Sequence, residues 1–273
     1  MCPKLFTIGP FTIYGFGLML ALGFIVGNYI FSLELKRRKY DQNLAGNITI
    51  IALLAGIIGS KILYLIENWS EFLADPINMT FSAGGLTFYG GFLLATFAIY
   101  IYGKKKNIGF LALGDAISPA LMLGYGIARV GCHLAGDGDY GFPTNLPWGT
   151  DYSKGTYPPS VAFRDFPEIT SQYPNGIVPD NTPCHPTPIY ELIICTLMFL
   201  YLWRIRKKPM PTGKLFMIYL VLAGIERFSI EFIRINPRIL FGLSEAQLIA
   251  SGIIIIGSYG LWKISKNEIT KTK

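Results

Sequence analysis

Apolar residues run through this chain in seven blocks, at roughly 12–33, 44–66, 86–102, 108–132, 188–204, 214–234 and 246–263, with polar residues between them. A helix rising about 1.5 Å per residue needs close to 20 apolar residues to cross a bilayer, and each block approaches or exceeds that length. The pattern therefore predicts an all-α integral membrane fold of about seven transmembrane helices. A connection from about 135 to 187 interrupts it between helices four and five. This stretch is rich in Pro, Gly, Tyr and Asp ("DYGFPTNLPWGTDYSKGTYPPS", "YPNGIVPDNTPCHPTP") and carries no periodic pattern. Its aromatics and prolines predict an ordered cap and not a flexible linker. No repeat or low-complexity tract divides the chain, so residues 1–273 read as one polytopic domain.

Composition agrees: 51% of the residues are hydrophobic and 15% are charged. The formal net charge of +7 is distributed as in membrane proteins. "KRRK" (36–39) follows the first block, Lys104–Lys106 the third, "RIRKK" the fifth, and Lys263, Lys266, Lys271 and Lys273 the last, whereas the alternate connections are acidic. The positive-inside rule then places the N-terminus outside, the C-terminus in the cytoplasm and the 135–187 loop on the outer face. Because "KRRK" follows the apolar block instead of preceding it, the first segment reads as a retained span and not a cleaved signal. The basic residues are explained by topology and anionic lipid, and nucleic-acid binding is not expected.

Four cysteines are present. Cys132-His133 and Cys184-His185 invite a metal reading, but adjacent residues rarely aim two ligands at one ion and no standard zinc spacing occurs. A Cys132–Cys184 disulfide is an alternative in an oxidising compartment. The expected state is two unpaired buried thiols, with no metal and no cofactor.

Charges inside apolar spans are the informative outliers, since each costs at least about 2.5 kcal/mol near a helix centre. Counted along their helices, Lys61, Glu67, Arg129, Glu191, Arg227 and Arg234 all fall towards one end, the outer one. In "ERFSIEFIR", Arg227, Glu231 and Arg234 are spaced i, i+4, i+7 and are expected on one face of one helix. A structural ion pair would account for that face alone. A second arginine at similar depth, Arg129, set among glycines, favours a site. The glycines of "GGLTFYGG" (84–91) predict a helix break lining a cavity, while "GFIVG" in the first span predicts helix packing. Arginine suits bidentate phosphate contact, so a phospholipid head group fits.

These segments resemble the prolipoprotein diacylglyceryl transferase family nearly end to end. "FTIGPFTIYGFGLM" is similar to the family's opening, and "GGLTFYGG" to its His-Gly-Gly element. "RVGCHLAGDGDYG" resembles the signature Gly-Arg-x-Gly-Asn-Phe-x-Asn-x-Glu-x-x-Gly, "HPTPIYE" resembles His-Pro-x-x-Leu-Tyr-Glu, and "RFSIEFIR" with "AQLIAS" resembles the terminal Arg-bearing helix and its successor. The resemblance implies transfer of the diacylglyceryl group of phosphatidylglycerol to the lipobox cysteine of a preprolipoprotein signal peptide. This is the first step of bacterial lipoprotein maturation, at the outer face of the cytoplasmic membrane. It implies that Arg129 holds the lipid phosphate and that Arg227 stabilises the departing charge, oriented by Glu231 and Arg234. Gly90, Gly91, Asp137, His185 and Tyr190 are implied at the substrate. The polar positions depart most. Tyr89 replaces the histidine before Gly-Gly, Cys132 and His133 stand at the asparagine, Ala135 and Asp137 replace asparagine and glutamate, and Phe16 replaces the opening tyrosine. Tyrosine, with an ordinary pKa near 10, is a poor base at pH 7 but can donate a hydrogen bond. His133 or Asp137 could instead take the thiol proton. His185 is expected to fix the entry of the fifth span. Two other readings stand beside the transferase: a paralogue acting on another lipid or acceptor, and a non-catalytic lipid-binding or transport protein. The second lacks the pseudo-symmetric halves common in transporters.

Overall fold

The computed structural model describes residues 1–9, 11–82 and 84–271. The chain is a mostly helical, multi-pass membrane protein. A short antiparallel hairpin, β1 (Lys4–Ile8) and β2 (Phe11–Tyr14), comes first, followed by α1 (Gly15–Arg37), α2 (Asn43–Glu67), α3 (Trp69–Ala74) and α4 (Pro76–Phe81). Then come α5 (Phe88–Lys105) and α6 (Phe110–Ala135). The connection after α6 carries β3 (Thr150–Asp151), α7 (Pro159–Ala162), α8 (Pro167–Thr170) and β4 (Pro183–Cys184). It leads into α9 (Thr187–Ile205), α10 (Lys214–Ile230), the strands β5 (Arg238–Leu240) and β6 (Leu243–Ser244), and α11 (Glu245–Lys271).

Helices occupy all seven apolar blocks, and five among the described residues, α1, α2, α6, α9 and α11, are long and apolar enough to cross a membrane. The other two, α5 and α10, have 18 and 17 residues. Two boundaries differ from the sequence reading. The first helix begins at Gly15, not near 12, because Phe11–Tyr14 alternate and pair as a strand. The sixth ends at Ile230, not 234. The chain turns there and residue 234 joins Gly141 in an antiparallel bridge, so its backbone groups leave the helix ladder.

The fold divides into two compact units, residues 28–116 and residues 1–27 with 117–273. In the first, α2 and α5 pack through glycine. A Cβ added at Gly90 would stand 2.3 Å from the Gly59 carbonyl oxygen, and one at Gly91 would stand 2.7 Å from that of Gly56. Gly90 and Gly91, expected to open a cavity, are buried and close a helix contact instead. The intramembrane charges of α2 hold the segment before α5. Lys61 Nζ donates to the Met79, Ser82 and Gly84 carbonyls at 2.7–3.0 Å, and Thr87 Oγ1 donates to Glu67 at 2.8 Å. The basic run 36–39 has a structural part too, since Arg37 and Arg38 pair with buried Glu34.

In the second unit, Gly23 of α1 lies so close to α6 that a Cβ would meet the Gly124 carbonyl at 2.9 Å, the packing expected of "GFIVG". The 136–186 connection is ordered around its own core of Tyr140, Tyr152, Phe163, Ile169, Val178 and Cys184, with Tyr140 stacked on Tyr152 at 4.1 Å. β3 and β4 pair at its base, where Thr150 faces Cys184. All four cysteines are free, Cys132 and Cys184 among them. Replacing Gly90 by Leu should force α2 and α5 apart and cost at least about 1–3 kcal/mol. Thermal unfolding in detergent micelles checks this, and an unchanged midpoint would contradict the contact.

Candidate active site

An arginine in lipid must find a counter-charge, and three here share the same ones. α6 supplies Arg129 from its penultimate turn, α9 supplies Glu191 from its first, and α10 with the turn after it supplies Arg227, Glu231 and Arg234. Glu191 is fully buried. Its Oε1 accepts from the Tyr125 hydroxyl at 2.8 Å and lies 3.2 Å from Arg129 Nε and 3.6 Å from Arg227 Nη1. Its Oε2 accepts from Arg234 Nη1 at 3.3 Å. Arg129 also donates through Nη2 to Tyr125 Oη at 2.9 Å, and its guanidinium sits 4.8 Å from that ring.

Asp139 closes the group from the cap. One carboxylate oxygen accepts from Arg129 Nη1 and the other from Arg234 Nη2. Gly136 and Gly138, at φ +58° and +88°, supply the left-handed turn that brings the chain back over α6. Thr187 Oγ1 then donates to the Asp139 carbonyl at 2.6 Å, tying that turn to the start of α9. Burial opposes the charge of Asp139, but Arg234 and Arg129 outweigh it and hold the carboxyl below the ordinary aspartate range.

Glu231, also fully buried, pairs with Arg227 Nη2 at 3.1 Å. Ser244 Oγ donates to it at 2.9 Å and Asn236 donates to the same oxygen. Arg238 Nη2 binds its carbonyl at 3.0 Å, so the β5–β6 hairpin is anchored on the residue that orients Arg227. Three guanidiniums thus face three carboxylates. They are not equally committed: the side chains of Arg129 and Arg234 are 15% and 6% exposed, whereas that of Arg227 is 27% exposed. Arg227 is therefore the cation most available to an incoming anion.

The expected face of three charges on one helix holds for Arg227 and Glu231 only. Arg234 reaches the group from beyond the helix end, its Nε 3.9 Å from Glu231. His133 turns towards the cap core, with Nδ1 at 3.0 Å from Tyr152 Oη and its ring edge-on to that tyrosine. His185 Nδ1 lies 3.3 Å from Tyr190 Oη, which accepts from Trp148 Nε1 at 2.7 Å. Burial lowers the His185 pKa and keeps the ring neutral at pH 7. The His185 backbone pairs with residues 141 and 142, so it fixes the entry of α9 as expected. Asp137 makes no ion pair among the described residues. Its carboxyl is pushed up by burial and by Asp139, and it accepts the Asp139 amide at 3.3 Å. Tyr89 begins α5 in the other unit, edge-on to Phe88.

Cys132, Asp137 and Asp139 bring three donor atoms within 4.8 Å of one another. Both Asp139 oxygens already face guanidiniums, which makes this an ion-pair turn more than a metal cradle. A cavity of about 470 Å³ lies between the cap and the segment after α10, lined by Phe142, Tyr157, Asp165 and Glu168 and by Asn236 and Arg238, two side chains that also bind Glu231.

Sequence reasoning missed Asp139 and Tyr125 as members of this group, and also Glu226, a buried residue on α10 immediately before Arg227, and it underweighted Glu191. Two of them, Glu191 and Glu226, were legible as carboxylates inside apolar blocks. Tyr125 carried no signal beyond lying one turn before Arg129.

Residues 3–263 match the sequence model of the prolipoprotein diacylglyceryl transferase family. The chain belongs to this family. Among similar proteins are phosphatidylglycerol–prolipoprotein diacylglyceryl transferases of Clostridioides difficile (33% identical, covering 97% of this chain and 98% of the relative) and Clostridium tetani (32%, 95% and 96%). The enzyme of that name from Leptospira interrogans is 28% identical over 96% of this chain and 92% of its own length. Within the diacylglyceryl transferase family, the arginines and acids of this group fall in the segments that carried the resemblance, whereas Tyr125 and Glu226 lie just outside the motifs.

Asp139→Asn should lower stability at pH 7 by about 1–3 kcal/mol, less than for a fully buried pair because Asp139 is partly exposed. The depressed carboxyl stabilises the fold above its unfolded pKa of about 3.9, and that gain is lost as pH falls through the folded value. The gap between wild type and variant should therefore close below about pH 4, read by thermal unfolding across pH.

Proposed function

We propose that the chain transfers the diacylglyceryl group of phosphatidylglycerol to the thiol of the lipobox cysteine in a preprolipoprotein. The thiolate attacks the glycerol carbon, the carbon–oxygen bond to phosphate breaks, and glycerol phosphate leaves. The observation that carries this reading is the convergence of Arg129, Arg227 and Arg234 on one buried carboxylate, Glu191, within the motifs of the family. Bond breaking builds charge on the leaving phosphate, and cations already fixed in place stabilise it without reorganising. Arg129 holds the phosphate and Arg227, the least committed cation, follows the developing charge. Glu231 and Arg234 set the pose of Arg227 from two sides. Roles for Tyr89, Gly90 and Gly91 at the lipid, Tyr89 as hydrogen-bond donor, and for His185, Tyr190, His133 and Asp137 at the acceptor rest on the family resemblance.

In this reading the whole chain is one multi-pass transferase domain of the bacterial cytoplasmic membrane. Seven helices span it, with α5 and α10 covering about 27 and 26 Å of a hydrocarbon layer close to 30 Å. The N-terminus and the arginine group face outwards and the C-terminus faces the cytoplasm. The alternation of basic and acidic connections supports this orientation.

Arg129→Ala and Arg227→Ala should each reduce transfer by about 10²-fold or more while folded protein remains in the membrane. The test is lipid modification of a lipobox peptide in cells depleted of their own transferase. Full activity in both variants would reject the phosphate clamp. A well-expressed native chain that restores no modification, but does so as Tyr89→His, would move the assignment to a paralogue.

A further inference from the structure

The reaction needs somewhere for the thiol proton to go, and the family's histidine is Tyr89 in this chain. The arginine group contains a fourth carboxylate that the phosphate clamp does not use. Glu226 sits on α10 immediately before Arg227, is 4% exposed, and its Oε1 is buried with no hydrogen-bond partner among the described residues. The charged groups acting on it come from every side. They are Glu191 of α9, Arg227 of its own helix, Arg129 of α6 and Arg234 beyond the helix end. The neutral neighbours it couples to are Tyr125 of α6, Cys195 of α9 and Tyr219 of α10.

Charge balance singles this carboxylate out. Arg129, Arg227 and Arg234 are matched one for one by Asp139, Glu191 and Glu231, each in an ion pair. A seventh, unmatched charge in an apolar helix is costly, and a carboxylate in that position lowers the cost by taking up a proton. Of the four carboxylates, Glu226 is the one with no guanidinium ion pair among the described residues and therefore free to take up a proton. It is also one residue from the cation that is most available to the leaving phosphate.

We propose that Glu226 is the general base that accepts the proton of the lipobox thiol. This assignment rests on the transferase reading above. The S–H bond breaks and its proton passes to the free Glu226 oxygen. The sulfur electron pair forms the bond to the glycerol carbon, and the carbon–oxygen pair leaves with the phosphate. Arg227 meets that departing charge. Base and cation then come from adjacent positions on one helix, so a single element sets both ends of the displacement.

The experiment is transfer from phosphatidylglycerol in detergent to a lipobox peptide, measured across pH for wild type, Glu226→Gln and Glu226→Asp. Glu226→Gln should lower kcat at pH 7 by about 10²-fold or more, with the KM for phosphatidylglycerol changed by less than about twofold. The deficit should shrink as pH rises past about 8.5, where a thiol ionises unaided. A peptide with selenocysteine at the acceptor position, ionised at neutral pH, should restore turnover to Glu226→Gln, and Glu226→Asp should keep part of the activity and the acidic limb. An unchanged kcat in Glu226→Gln, or a deficit equal at every pH and untouched by the selenol, overturns the assignment. If Glu226→Gln does not fold, wild type alone decides, because the acidic limb of kcat must persist with the selenol if Glu226 serves another step and vanish if it serves the thiol. A wild-type chain that forms no thioether at all overturns the transferase reading itself, and the base with it.

Discussion

A carboxylate with no exposure to solvent, Glu191, is bound by three guanidiniums and a tyrosine hydroxyl drawn from two separate stretches of chain, 125–129 and 227–234. Taking any one of these ions out of water costs several kcal/mol, and a lone pair in a low-dielectric site barely recovers it. A network in which each guanidinium meets at least one carboxylate recovers more, provided the geometry of all partners is met together. That condition fixes how α6, α9 and α10 approach at this end of the fold, because shifting any one helix by a fraction of a turn would leave a buried charge unmatched. The 136–186 cap is subject to the same condition. Its Gly136–Gly138 turn returns Asp139 to Arg129 and Arg234, and the bridge from Gly141 to Arg234 secures the other side.

Much of this was legible from the residues. Arg129 and Arg227 stood out because an arginine in an apolar block is costly, and cost is readable without coordinates. The helices followed from apolar length, and the packing role of Gly23 followed from small-residue spacing. What was not legible depended on direction. Asp137 and Asp139 are two residues apart between glycines, and only the left-handed turn decides which of them meets Arg129. Gly90 and Gly91 read equally well as a break or a contact, and the choice was made by Gly56 and Gly59 across the helix pair, some 30 residues away. The i, i+7 spacing of Arg227 and Arg234 assumed a helix that continues, yet the backbone turned at Ile230 to pair with the cap.

Electrical balance also shapes how an anion could enter. A site with three free arginines would attract any phosphate, including the abundant anions of the aqueous face. A site whose arginines are already satisfied binds an anion only by exchange, gaining hydrogen bonds to the new ligand while loosening those to its carboxylates. That exchange is cheapest at Arg227, whose side chain is the most exposed of the three and whose contact to Glu191, at 3.6 Å, is the longest that carboxylate makes with the three arginines. Discrimination then falls to whatever brings the rest of the ligand: acyl chains in the lipid phase and a phosphate at arginine depth suit a phospholipid better than a soluble ester.

The same logic explains why Arg227 needs the support it has. In its proposed role, a cation that follows charge from one position to another must be loosely held at one end and firmly placed at the other. Glu231 supplies the firm end, and it is itself immobilised by Ser244, Asn236 and, through its carbonyl, Arg238. Arg238 is in turn held by Gln247 at 2.7 Å, which also accepts from the Ser244 amide at 3.1 Å. The first turn of α11 is thereby connected to the pose of Arg227 through Ser244, Arg238 and Glu231. If Arg227 meets the leaving phosphate as proposed, a change at Gln247 would act on the reaction by freeing the hairpin base, letting Glu231 rotate and so misplacing that arginine.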